Sequence, residues 1–214
     1  IINACRQAGK PVVVATQMLD SMVNYPTPTR AEASDVATAI YDGTDAVMLS
    51  AETAIGLYPC ESIKMMDKII DKVEKDPIYV NINEVSHVKA ESTAEDAITE
   101  SAKYVARIMS AKAIVTYTTS GSTALRAARE RPGVPIMGIS PNLNTARKLA
   151  LVWGVHCIHT KDASSFKDMV LKAGRLAKKE KFAKKGDSVV ITAGVPFGES
   201  GATNVLRIAS VDRY

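Results

Sequence analysis

Apolar residues in this chain come in two forms: short unbroken runs, and longer stretches where they recur every three or four positions. The first form predicts strands buried in a parallel sheet, the second amphipathic helices. Ile1 to Ala8 reads as a helix end stopped by Gly9. Lys10-Pro11 leads into Val12-Val13-Val14, a strand expected to be buried on both faces, which ends in the small and polar Ala15-Thr16-Gln17. Met18 to Met22 fits one helical turn, and Asn24-Tyr25-Pro26-Thr27-Pro28 is a loop because two prolines exclude helix and ladder alike. Thr29 and Glu32 match a capping box opening a helix with Val36, Ala37 and Ile40 on one face, closed by Asp42-Gly43. Asp45 to Leu49 is a second strand, tipped by Ser50-Ala51-Glu52-Thr53, and Cys60 to Val73 is a further helix. Residues 1–75 thus read helix, strand, helix, strand, helix, as β/α units do. Two parallel strands cannot close a barrel or cover their own edges, so this part is expected to be the tail of a larger unit.

Residues 76–93 are polar with scattered Val and Ile and read as a linker. Ala94 to Met109 is helical by spacing. Strands follow at Ala113–Tyr117, Pro135–Ile139, Val155–His159 and Ser188–Thr192, separated by helices at Ser120–Arg131, Asn144–Val152 and Ser164–Ala183. A last strand, Val205–Val211, follows a glycine-rich loop and is expected at an antiparallel edge. This second part is a complete open α/β sheet able to fold alone.

Composition narrows the classes. With 214 residues, 46% of them hydrophobic, there is ample material for one or two packed cores. A net charge of +4, without an arginine-rich arm or aromatic-interleaved basic stripe, does not favour nucleic acid. The charge run Lys178-Lys179-Glu180-Lys181, with Lys184-Lys185, reads as a solvated helix face. Cys5, Cys60 and Cys157 lack metal spacing and are expected as reduced cytosolic thiols; no window has the apolar length of a membrane span, and no signal peptide is seen. The chain begins at Ile1 rather than a methionine, so a processed or truncated start is considered. His87, His156 and His159 are scattered, Trp153 is expected to pack, and there is no Walker A, GxGxxG or HExxH motif.

Four constellations carry candidate chemistry. A hydroxyl at the C-terminal end of a buried parallel strand points into a barrel mouth or a sheet crevice, where ligands bind, so Thr16 is a candidate site residue; it could equally cap the turn that follows. At the second tip, Glu52, flanked by Ser50 and Thr53, could act as a base, bind a cation or orient neighbours, or form a structural ion pair. Thr118-Thr119-Ser120-Gly121-Ser122-Thr123 places hydroxyls and a glycine where a helix starts, which favours a phosphate; the alternative is a plain N-cap by Ser120. Gly194 to Asn204 contains Gly198 and Gly201 and faces the same sheet end, since both loops follow parallel strands.

The stretch Lys10 to Met22 closely resembles a signature of the pyruvate kinase family, a strand ending A-T-Q followed by M-L-E/D-S-M. Asp45 to Ala54 resembles the family's next strand, with Ala51 where glycine is common. Thr118, Ser120, Gly121 and Thr123 match a T-x-S-G-x-S/T loop that holds an effector phosphate in regulated members, and Thr119 and Ser122 stand at its variable positions. Gly198 and Gly201 lie in a stretch similar to the family's effector lid, but Val195-Pro196 replaces the Trp-Arg pair of many bisphosphate-activated forms. The resemblance implies the last two β/α units of a TIM (β/α)8 barrel in residues 1–80, a linker in 81–93 and a C-terminal regulatory α/β domain, an open and mostly parallel sheet, in 94–214. It also implies phosphoryl transfer from phosphoenolpyruvate to ADP, the last step of glycolysis, by a cytoplasmic, allosteric homotetramer. Thr16 then stands beside the enolpyruvate carbon in its proton transfer, with Ser50 and Glu52 at the neighbouring tip. Mg2+ and K+ are implied cofactors whose ligands, with the catalytic lysine and the phosphate-contacting arginines, are expected upstream of Ile1. The chain is expected to be inactive alone, to bind phosphoenolpyruvate and ADP only as part of a longer protein, and to bind a sugar phosphate, single or bis, as effector. A non-catalytic regulatory module binding a phosphorylated metabolite is the competing reading.

Overall fold

The computed structural model describes residues 1–85, 91–196 and 203–211. The chain divides into two compact units, Ile1–His87 and Val88–Tyr214.

In the first unit, α1 (Ile2–Gln7) leads through Gly9 (φ +62°) into β1 (Val13–Val14). A 3-10 turn, Asp20–Val23, precedes α2 (Arg30–Tyr41), β2 (Ala46–Val47), α3 (Ala51–Ala54), α4 (Pro59–Glu74) and α5 (Pro77–Val85). The expected capping box is present, with Thr29 and Glu32 satisfying each other's backbone N–H groups. β1 and β2 pair in parallel, Val13 opposite Ala46 and Val14 opposite Val47. Met18 and Leu19 just before the turn, Met22 within it, Val36 and Ala39 of α2 and Met66 of α4 pack together, with Val14 and Val47 against them. Within this chain β1 is covered on one face. Side chains alternate across a strand, the helices cover one face only, and Val13 on the other remains 43% exposed. The polar stretch read as linker begins as a helix: α5 buries Tyr79 edge-on to Tyr41, with ring centroids 6.2 Å apart, and Asn83, which accepts a hydrogen bond from the buried Arg6 guanidinium at 3.2 Å.

The second unit contains α6 (Ala94–Ile108), β3 (Ile114–Tyr117), α7 (Ser122–Arg129), β4 (Ile136–Ser140), α8 (Leu143–Lys148), β5 (Val155–His159), α9 (Phe166–Lys179), β6 (Ser188–Ala193) and β7 (Val205–Ser210). The sheet order is β5-β4-β3-β6-β7, parallel throughout except for β7, which runs antiparallel to β6 at the edge. Both faces of the central strands are buried, mainly by apolar side chains, with the threonines Thr116 and Thr192 on one of them. Val115, Tyr117, Val189 and Ile191 pack with Met169 and Ala173 of α9, while Ile114 and Val190 pack with Ala102 and Ala106 of α6. The period of two therefore serves two cores at once. The Tyr117 hydroxyl donates to the Met169 carbonyl at 2.8 Å. The guanidinium of Arg131 lies 4.8 Å above the ring of the half-buried Trp153. Val205–Ser210 takes the antiparallel edge that its position after the glycine-rich loop predicts. The cysteines are free.

Candidate functional site

In-register parallel pairing puts the C-terminal ends of β1 and β2 on one edge, so Thr16 and the Ser50–Glu52 tip share that edge. Thr16 and Ser50 are exposed, whereas Glu52 is only 3% exposed. The Glu52 carboxylate accepts from the Leu19 N–H at 3.2 Å and the Ser50 N–H at 2.8 Å, tying the segment after β1 to the tip of β2. Among the described residues, backbone amides rather than the basic residue of an ion pair thus hold the Glu52 carboxylate. A feature the sequence did not signal closes this tip: a Cβ on Gly56 would lie 2.5 Å from the Glu52 carbonyl oxygen, so only glycine lets the chain turn back here. A second carboxylate, Glu32, takes the Ser21 N–H at 2.7 Å and the Ser21 hydroxyl at 2.5 Å. Partial burial raises its pKa, but these bonds and those from Thr29 outweigh that and hold it at about 2.

In the second unit the strand order reverses between β3 and β6. In open α/β sheets, the crevice outside the carboxyl ends of strands at such a switch point is where ligands bind. The hydroxyl-rich loop leaves β3 there, and the Gly194–Asn204 connection leaves β6 there. Gly121, not Ser120, is the N-cap of α7, with φ +98° and no side-chain cap. Thr118 accepts the Gly121 N–H at 2.9 Å, and the Thr119 carbonyl accepts the Thr145 hydroxyl at 2.9 Å. Thr123 is buried and shares a 2.6 Å hydrogen bond with Thr203. Ser120 and Ser122 are exposed, their hydroxyls 3.1 Å apart beside the first turn of α7, where N–H groups have no acceptor within the helix. The Asn204 side chain brackets the backbone of Val195, accepting from its N–H at 2.9 Å and donating to its carbonyl at 2.7 Å. Gly198 and Gly201 lie outside the described residues.

The family model described as "Pyruvate kinase, barrel domain" matches residues 1–63, and that described as "Pyruvate kinase, alpha/beta domain" matches residues 96–209. The chain belongs to the pyruvate kinase family. It is 52% identical over 213 residues to a pyruvate kinase of Methylorubrum extorquens, covering 100% of this chain and 45% of that protein. It is 46% identical over 208 residues to one of Geobacillus stearothermophilus, covering 97% of this chain and 35% of that protein. A crystal structure of a pyruvate kinase from Cryptosporidium parvum superposes with a TM-score of 0.89 at 34% identity, covering 98% of this chain and 42% of that one. The chain therefore spans under half the length of these pyruvate kinases. Its fold is that of the end of the pyruvate kinase barrel followed by the family's α/β domain.

Among the described residues of this pyruvate kinase segment, no group of three or more His, Cys, Asp and Glu side chains is placed to hold a metal ion. Among the described residues, no helix is long and apolar enough to cross a membrane.

Proposed function

We propose that this chain is the C-terminal portion of a pyruvate kinase that moves the phosphoryl group of phosphoenolpyruvate to ADP, yielding ATP and pyruvate. The observation that carries this reading is the in-register pair β1–β2, which brings Thr16 and the Ser50–Glu52 tip to one edge. When the phosphoryl group leaves, the enolpyruvate must take a proton at its terminal carbon as the adjacent C–O becomes a ketone. The exposed Thr16 hydroxyl is the group this chain offers for relaying that proton. Ser50 stands at the same edge, and Glu52 holds the two tips together rather than exchanging a proton itself. The cations Mg2+ and K+, and the groups that hold the transferring phosphate, belong in this reading to barrel strands outside this chain. The assembly is a cytoplasmic homotetramer.

In the same reading the second unit is regulatory. The switch point favours a phosphorylated metabolite there, with the exposed Ser120 and Ser122 hydroxyls and the first-turn N–H groups of α7 as its donors. This site would also serve a non-catalytic module. A coupled pyruvate assay separates the two. The 214-residue chain alone gives no turnover, a longer protein carrying it does, and Thr16→Val in that protein lowers kcat by about a hundredfold or more. Turnover by the isolated chain near that of an intact enzyme would refute the reading.

A further inference from the structure

A capping box needs one pair of reciprocal bonds between Thr29 and Glu32, and that pair is complete. Glu32 nevertheless takes three more donors, the Thr29 hydroxyl and the N–H and hydroxyl of Ser21, which lies eleven residues away on the Asp20–Val23 turn. Its four donors are the N–H and hydroxyl of Ser21, at 2.7 and 2.5 Å, and the N–H and hydroxyl of Thr29, at 2.7 and 2.8 Å. Four donors match the acceptor capacity of an ionised carboxylate. The turn is also tied by the Leu57 N–H, which donates to the Val23 carbonyl at 2.9 Å. It is one turn of 3-10 helix with no side-chain cap, a geometry with weak internal bonds. Met18, Leu19 and Met22 anchor it from below, Glu52 holds its leading end through the Leu19 N–H, and Glu32 holds its middle. Thr16 is exposed and stands four residues before this turn, on the same segment leaving β1.

We propose that Glu32 is a positioning residue for Thr16: by gripping Ser21 it fixes the path of the chain leaving β1, and hence where the Thr16 hydroxyl is presented. This rests on the pyruvate kinase reading above. The low pKa of the Glu32 carboxyl agrees, since an acceptor of four donors must remain ionised at every working pH.

Glutamine cannot replace it, because an amide has one acceptor oxygen and would turn an NH2 toward N–H and O–H donors. The test uses the longer enzyme carrying this segment. Glu32→Gln is expected to lower kcat for pyruvate formation by about tenfold, as misplacement of a reacting group does. KM for phosphoenolpyruvate should stay within about twofold, because uniform binding is untouched. Exchange of the pyruvate methyl hydrogens with deuterium oxide should slow by the same factor as kcat. Thr29→Ala removes the helix cap but leaves both Ser21 bonds, so it should lower Tm while keeping kcat. If Glu32→Gln does not fold, Ser21→Ala, which deletes the hydroxyl bond alone, must still lower kcat at constant KM. Unchanged kcat in the folded Ser21 or Glu32 variant, or an equal loss in Thr29→Ala, overturns the role of Glu32 alone. A parent enzyme without turnover overturns the underlying reading, and this role falls with it.

Discussion

Thr118 and Ser120 stand two residues apart in a loop of like side chains and do different work. Thr118 is buried and spends its oxygen on the Gly121 N–H, while Ser120 is exposed beside an exposed Ser122. Thr123 is likewise committed, to Thr203. Hydroxyl density after a strand was legible in the sequence as an anion-binding signal. Which hydroxyls serve the loop and which face outward was not, because that depends on how the loop folds Thr118 onto the Gly121 N–H and on Thr203, eighty residues downstream of Thr123. Ser120→Ala is therefore the informative substitution. Calorimetry with a sugar phosphate should show affinity weakened by about tenfold, the worth of one hydrogen bond to a charged group. Unchanged affinity would take this loop out of the site. At the barrel tip, the placement of Thr16 and Ser50 at one edge follows from the strand ends alone, whereas the Glu52 partners do not, since an acidic residue in a sequence gives no sign that its acceptors face backbone amides.

Among the elements, α5 shows how pattern reading fails. Ile78, Val80 and Ile82 alternate as if on a strand, yet all three are exposed, and the buried positions are Tyr79 and Asn83, one helical turn apart. An asparagine accepting from Arg6 on the inward face hides the helical period that apolar residues would have displayed. The pair α6–α7 is held by a charge cluster equally hard to foresee. Asp96, in the first turn of α6, meets Arg129 at 2.6 Å with side chains 0% and 5% exposed; it also meets Arg126 and accepts the Glu91 N–H at 2.8 Å. Without the Asp96 charge, Arg129 keeps its 3.3 Å contact with Glu130, so Asp96→Asn should cost about 1.5–3 kcal/mol in denaturant unfolding, the worth of a hydrogen bond to a charged group. Burial raises the Asp96 carboxyl pKa, but bonds from Arg129, Glu91 and Arg126 bring it below the ordinary carboxylate value. The folded value being the lower one, this stability is complete above the ordinary pKa and is lost as pH falls through the lowered one. The Asp96→Asn variant should therefore show a shallower acid-side decline in Tm than the parent.

For the molecule as a whole, the contrast lies between an unfinished sheet and a finished one. Among the described residues, 88–214 hold five strands with the central ones packed on both faces, while 1–87 hold two strands of two residues each. That difference was visible in the sequence as a count of strands, because edge physics sets how few can stand alone. Expressed separately, residues 88–214 should melt in one cooperative transition in scanning calorimetry, and residues 1–87 should give none. A sharp transition from residues 1–87 would mean that α1 to α5 suffice to cover the short ladder.

Trp153 is the only tryptophan in the chain, and it sits in the second unit beneath the Arg131 guanidinium. Ultraviolet emission excited at the red edge of indole absorption thus issues from one half of the protein, while peptide circular dichroism sums both halves. Any gap between those two optical traces during denaturation would measure directly how far the front half comes apart before the back half does.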